Sequence, residues 1–129
     1  MRILIADDME YARVNIMEMV KKIFSEAEID AFSDGTHAWE AVKKREYDLL
    51  FTDVRMIRMN GSELAEKVAE KHPHTEIFFV TGEDKAELEQ LGINPKRCIF
   101  NPYMIEDVKK CLKENKVFEF GGFGNELRL

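Results

Sequence analysis

The chain has 129 residues, 45% of them hydrophobic and 34% charged, which suits one soluble globular domain with its own core. Its net charge of -6 argues against general nucleic-acid binding, which needs a basic footprint. No stretch approaches the roughly 18 consecutive apolar residues of a membrane span, and the run after Met1-Arg2 is too short for a secretory signal, so a cytoplasmic protein is expected.

Five apolar runs alternate with five amphipathic segments. Residues 2–6 read as the first strand and run into Asp7-Asp8. Helix one is predicted over 11–25, with Ile16, Met17, Val20, Ile23 and Phe24 on one stripe. A weak second strand, 29–32, is followed by the Asp34-Gly35 turn signal and a helix carrying Ala38, Trp39, Ala41 and Val42. Strand three, 48–52, runs into Asp53. After a loop with Asn60-Gly61, Ser62 is predicted to cap helix three, whose buried face is Leu64, Ala65 and Val68 and which stops at His72-Pro73. Strand four, 76–80, runs into Thr81-Gly82, and a short helix over 84–91 ends at Gly92. Strand five, 97–100, runs into Asn101-Pro102, and helix five begins near Met104 with Ile105, Val108 and Leu112 inward.

Strict alternation of short apolar strands and helices implies an α/β fold, a parallel sheet covered on both faces through right-handed crossovers. Ligands of such sheets bind at the carboxyl ends of the strands. Asp7, Asp8, Asp53 and Thr81 all occupy strand ends, so they are expected to converge on one pocket. Carboxylates brought together repel one another and take up protons unless a cation sits between them. Oxygen-only ligands select a hard ion such as Mg²⁺, which leaves room for a phosphate oxygen. Asp53 stands on a different strand from Asp7-Asp8 and is expected to be both ligand and nucleophile, forming an acyl phosphate, with the Thr81 hydroxyl on a phosphoryl oxygen.

Cys98 and Cys111 fall on a strand and a helix without metal or redox spacing and read as small buried residues. His72 and His74 flank Pro73 and read as solvated loop histidines, and His37 as a surface helix residue. Lys21-Lys22, Lys43-Lys44-Arg45 and Lys109-Lys110 read as solvated helix faces, and there is no Gly-rich phosphate loop. The tail from Lys116 interleaves Val117, Phe118, Phe120 and Phe123 with glycines; packing back on the domain and binding a partner are both open to it.

Over residues 1–115 the chain resembles the receiver domain of two-component response regulators. The Asp7-Asp8 pair, Asp53 followed by Met56 and Asn60-Gly61, Asp34-Gly35 with Ala38, and Thr81-Gly82 carry the resemblance. It implies a doubly wound, five-stranded, flavodoxin-like fold of strand order 2-1-3-4-5, and 116–129 is then a separate Gly/Phe-rich tail. It implies that Asp53 accepts a phosphoryl group from a histidine kinase or phosphotransfer protein. It also implies Mg²⁺ held by the Asp8 and Asp53 side chains and the Arg55 carbonyl, with Asp7 acting through water.

Two positions depart from the family pattern. Asn101 stands where the family places a lysine that pairs with a phosphoryl oxygen. Asparagine offers N–H donors but no charge, and losing a charge-assisted donor would slow phosphorylation by about a hundredfold. Arg55, two residues past Asp53, reads as a solvent-facing arginine; the alternative is that it swings its guanidinium over the phosphate and compensates. Cys98 stands where the family carries a tyrosine or phenylalanine whose swing reports on the threonine, so a non-standard output surface is expected.

The functional expectation is therefore a stand-alone phosphoacceptor receiver, not a turnover enzyme, whose output passes through a downstream protein that docks on it. The alternative is a pseudo-receiver that binds partners without phosphorylation. A small Mg²⁺-dependent phosphohydrolase is disfavoured, because it needs a general acid two residues beyond a nucleophile on strand one and a cap for substrate.

Overall fold

The computed structural model describes residues 1–117; the predicted Phe-rich segment 118–129 lies outside them. The strands are β1 (Arg2–Ala6), β2 (Glu28–Phe32), β3 (Leu49–Thr52), β4 (Glu76–Thr81) and β5 (Cys98–Phe100). The helices are α1 (Glu10–Ile23), α2 (Gly35–Lys44), α3 (Gly61–Lys71), α4 (Lys85–Gln90) and α5 (Ile105–Glu114), with a 3₁₀ turn at Pro95–Arg97. The strands form one parallel sheet in the order β2-β1-β3-β4-β5, as the family resemblance implied.

Side chains alternate across each strand and divide the core into two layers. Ile3, Ile5, Leu49, Phe51, Phe78 and Val80 face α1 and α5, where Ile16, Val20, Phe24, Val108 and Leu112 meet them. Leu4, Ala6 and Leu50 face α2 and α3 and pack on Ala38, Val42, Leu64 and Val68. A smaller cluster of Val54, Ala65, Phe79, Leu88, Ile93 and Cys98 lies under α4. The central strands are buried on both faces, so they read as continuous apolar runs in the sequence. β2 is an edge strand with no fully buried residue, which is why its signal was weak.

Helix ends are set by side chains as well as by composition. Asn60, not Ser62, caps α3: its Oδ1 accepts from the Glu63 amide at 2.9 Å. Ser62 lies inside the helix and donates its hydroxyl to that same oxygen at 2.9 Å. Asp34 and Asp84 cap α2 and α4 in the same way through the His37 and Glu87 amides.

His72 corrects another expectation. It is not a solvated loop residue, because its side chain is only 15% exposed and bonds Val42 O at 3.1 Å and Glu46 Oε1 at 3.2 Å, joining the end of α3 to α2. His37 is exposed, and its Nδ1 meets Asp34 Oδ2 at 2.7 Å.

The two buried thiols lie in different layers, Cys98 in the cluster under α4 and Cys111 against α1 and β5, and both are free. Burial pushes the Cys98 thiol up to about 12 and the Cys111 thiol up to about 11, which leaves both protonated and unreactive at neutral pH.

Candidate functional site: an acidic cleft at the strand switch point

β1 lies between β2 and β3, so the chain reverses its direction of travel across the sheet at the β1/β3 junction. Helices leave that junction on opposite faces, and a crevice opens beyond the strand ends. Ala6 is paired with Thr52, and the Asp53 amide donates to Ala6 O at 2.9 Å, so Asp7 and Asp53 leave the sheet level with one another. On the other side, Thr81 pairs with Phe100 and the Asn101 amide donates to Thr81 O at 2.8 Å. The loop after β3 is drawn close by Gly61. A Cβ there would lie 1.8 Å from Asp53 O, so only glycine lets the first turn of α3 pack on the Asp53 backbone. Gly35 does the same for that loop's far end, where a Cβ would lie 2.1 Å from Met59 O.

The three acids converge. One carboxylate oxygen each from Asp7, Asp8 and Asp53 lies within 4.8 Å of the others, with Asp7 buried, Asp53 half-buried and Asp8 exposed. Burial, the Asp7 charge and, more weakly, Asp8 raise the Asp53 carboxyl to about 6, against the pull of the Arg55 and Val54 amides. Asp7 is also raised, chiefly by burial and then by Asp8, while the Met9 amide on its Oδ1 at 3.0 Å and Arg13 oppose the shift. A cation between these groups would lower both, and an all-oxygen set of three carboxylates suits a hard divalent ion.

Asp7, Asp53 and Asn101 line one cleft of about 480 Å³ together with Met9, Tyr11, Ala12, Asn15, Val80, Pro102 and Tyr103. Thr81 is buried at the end of β4, and its hydroxyl oxygen accepts from the Glu83 amide at 3.0 Å, which leaves its proton free to be donated. Arg55 is exposed, in line with its solvent-facing reading. Its guanidinium does not line the cleft but turns toward α4, with Nε 2.5 Å from Glu83 Oε1 and Nη2 3.5 Å from Glu87 Oε2.

Sequence reasoning missed the α1 and α5 sides of the cleft. Tyr11 and Met9 are 73% and 50% exposed at its mouth, and Asn15 Nδ2 donates to the Tyr103 hydroxyl at 3.3 Å across it. The signal available was local: Met9, Tyr11, Ala12 and Asn15 occupy the first turns after the acid pair, the turns nearest any strand-end site.

A family model, the response regulator receiver domain, matches residues 3–114. The chain belongs to that family. It is similar to the sensor protein EvgS of Escherichia coli K12, 31% identical over 114 residues, which are 87% of this chain and 9% of that protein. The sensory transduction protein LytT of Bacillus subtilis is 29% identical over 117 residues, 90% of this chain and 48% of LytT. This chain thus spans half or less of the length of these two relatives. Among solved structures, the response regulator TrrA of Thermotoga maritima, in complex with Mg²⁺ and BeF, superposes with a TM-score of 0.73 at 23% identity, covering 88% of this chain and 96% of that one. These matches place the chain among the signalling receivers of two-component systems.

Proposed function

We propose that this chain is a phosphoacceptor receiver: Asp53 takes a phosphoryl group from a histidine kinase or phosphotransfer protein and the domain signals by binding another protein. The observation that carries the reading is the meeting of three carboxylates at the β1/β3 switch point, with Asp53 facing an open cleft. Asp7, Asp8 and Asp53, with the Arg55 carbonyl, would hold Mg²⁺, which supplies neutralising charge for the incoming phosphoryl group. The Mg²⁺-BeF complex of TrrA supports that assignment by likeness.

This chain's own residues do the rest. Asp53 reacts as the carboxylate. With its pKa near 6 it is mostly ionised at pH 7, and a bound cation completes the ionisation. One carboxylate oxygen bonds phosphorus as the donor's bond to phosphorus breaks and the leaving group departs. Thr81 donates its hydroxyl proton to a phosphoryl oxygen from the end of β4, and Asn101 offers neutral amide donors from the end of β5.

The exposed apolar side chains of Met9 and Tyr11, which line the cleft, suit contact with a protein donor. Among the described residues no helix is long and apolar enough to cross a membrane. A cytoplasmic setting fits that, and the acidic surface disfavours direct nucleic-acid binding.

Incubation with Mg²⁺ and acetyl phosphate, followed by intact-mass spectrometry, tests the reading. The expected result is one phosphoryl adduct on the wild type and none on Asp53→Asn. A folded wild type that binds Mg²⁺ and never gains the adduct would instead favour the phosphorylation-independent interaction module.

A further inference from the structure

We propose that Glu83 is a built-in competitor for the phosphoryl group: its carboxylate holds the Arg55 guanidinium away from the cleft and thereby sets how fast Asp53 is phosphorylated. The inference deepens the phosphoacceptor reading and rests on it. Arg55 follows Asp53 by two residues, and its backbone amide is among the groups that hydrogen-bond the Asp53 carboxylate. Its side chain nonetheless turns away, to Glu83 at 2.5 Å and Glu87 at 3.5 Å.

Glu83 touches two of the residues that would meet a phosphoryl group from outside the acid cluster. Its side chain holds Arg55, and its amide donates to the Thr81 hydroxyl oxygen at 3.0 Å. The two contacts differ in kind. The amide positions the hydroxyl and leaves its proton available, whereas the carboxylate occupies the guanidinium that a phosphoryl group would attract.

The strength of the tether suits competition. Arg55 is 62% exposed and Glu83 21%, so their pair is a weak, solvent-screened one. A phosphoryl group in the cleft carries more charge than one carboxylate and offers the planar guanidinium a bidentate partner. Arg55 therefore has two homes of opposite consequence. In the resting chain it ties the loop after β3 to the start of α4. During phosphoryl uptake it supplies the positive charge that Asn101 lacks, and α4 loses that tie. Arg55 here is a positioning residue for the incoming group, and Glu83 governs its availability.

The test is the rate of phosphorylation by acetyl phosphate with Mg²⁺, read by intact mass for the wild type, Glu83→Gln, Arg55→Ala and the double variant, with Arg55→Lys as the conservative control. In each reaction a carboxylate oxygen of Asp53 forms a P–O bond, the acetyl P–O bond breaks and acetate leaves. Releasing an exposed ion pair predicts that Glu83→Gln reacts about threefold faster and Arg55→Ala at least about threefold slower. Arg55→Lys should recover part of the rate lost in Arg55→Ala, because it restores the charge. The Glu83→Gln gain should vanish in the Arg55→Ala background. Equal rates for wild type and Glu83→Gln overturn the proposal. A gain that persists without Arg55 also overturns it, since Glu83 would then act only as a nearby negative charge. No adduct on any of these proteins overturns the phosphoacceptor reading itself, and this inference with it.

Discussion

Asp53 occupies an electrostatically unfavourable position, because burial and the Asp7 charge hold its carboxyl near 6 rather than at its usual 3.8. A group whose folded pKa is raised is best tolerated while protonated. Its favourable contribution is complete below the unfolded pKa near 3.8 and is lost as pH rises through about 6. Asp53→Asn, in the absence of Mg²⁺, is therefore expected to be more stable than the wild type at pH 7. Discounted for partial solvent exposure, the gain is about 1 kcal/mol. Urea denaturation at pH 7 and at pH 4.5 checks this, and the advantage should shrink at the lower pH. At this scale the sequence named the acids that converge and an exposed Arg55, but not the partners that Arg55 finds. The guanidinium's direction depends on Glu83 and Glu87, 28 and 32 residues further along the chain, and no local pattern encodes that choice.

The elements were legible where their physics is local. Strands buried on both faces announce themselves as apolar runs, and α4 was expected to be short and has six residues. The start of α3 was misplaced because Asn60, Gly61 and Ser62 include two good capping residues two positions apart, and either satisfies the composition rule. Backbone geometry decides between them: Asn60 is extended, with φ -73° and ψ 169°, and its carboxamide oxygen reaches the Glu63 amide. Asn60→Ala should thus destabilise the fold by about 1 kcal/mol, and Ser62→Ala by less than about 0.5 kcal/mol, as measured by thermal or urea unfolding. Equal losses would mean that the serine shares the cap. Gly61→Ala should cost more than either, because its methyl group collides with the Asp53 carbonyl at the base of the site. His72 shows the same limit at the other end of α3. A Pro-flanked histidine looks solvated until α2 is seen to supply Val42 O and Glu46.

For the whole molecule, the site and the stability of the fold are linked. Three carboxylates from the ends of β1 and β3 repel across the most buried pair of strands, and a ligand that binds only the folded arrangement stabilises it by mass action. Addition of Mg²⁺ at a hundred times its dissociation constant should raise stability by about 2.7 kcal/mol, seen as a higher melting temperature. The rise should be much smaller in Asp53→Asn, and an equal rise in both would place the cation elsewhere.

The sequence by itself determined the alternation of strands and helices, the two-faced core and the identity of the acids at the strand ends. These follow from burial and periodicity, which are written residue by residue along the chain. The tertiary structure decided which loop ends meet, which residue caps α3, that α1 and Tyr103 wall the cleft, and that Arg55 is tied to α4. Each of those depends on the partner a side chain finds across the sheet or on the next helix, and such partners lie tens of residues away.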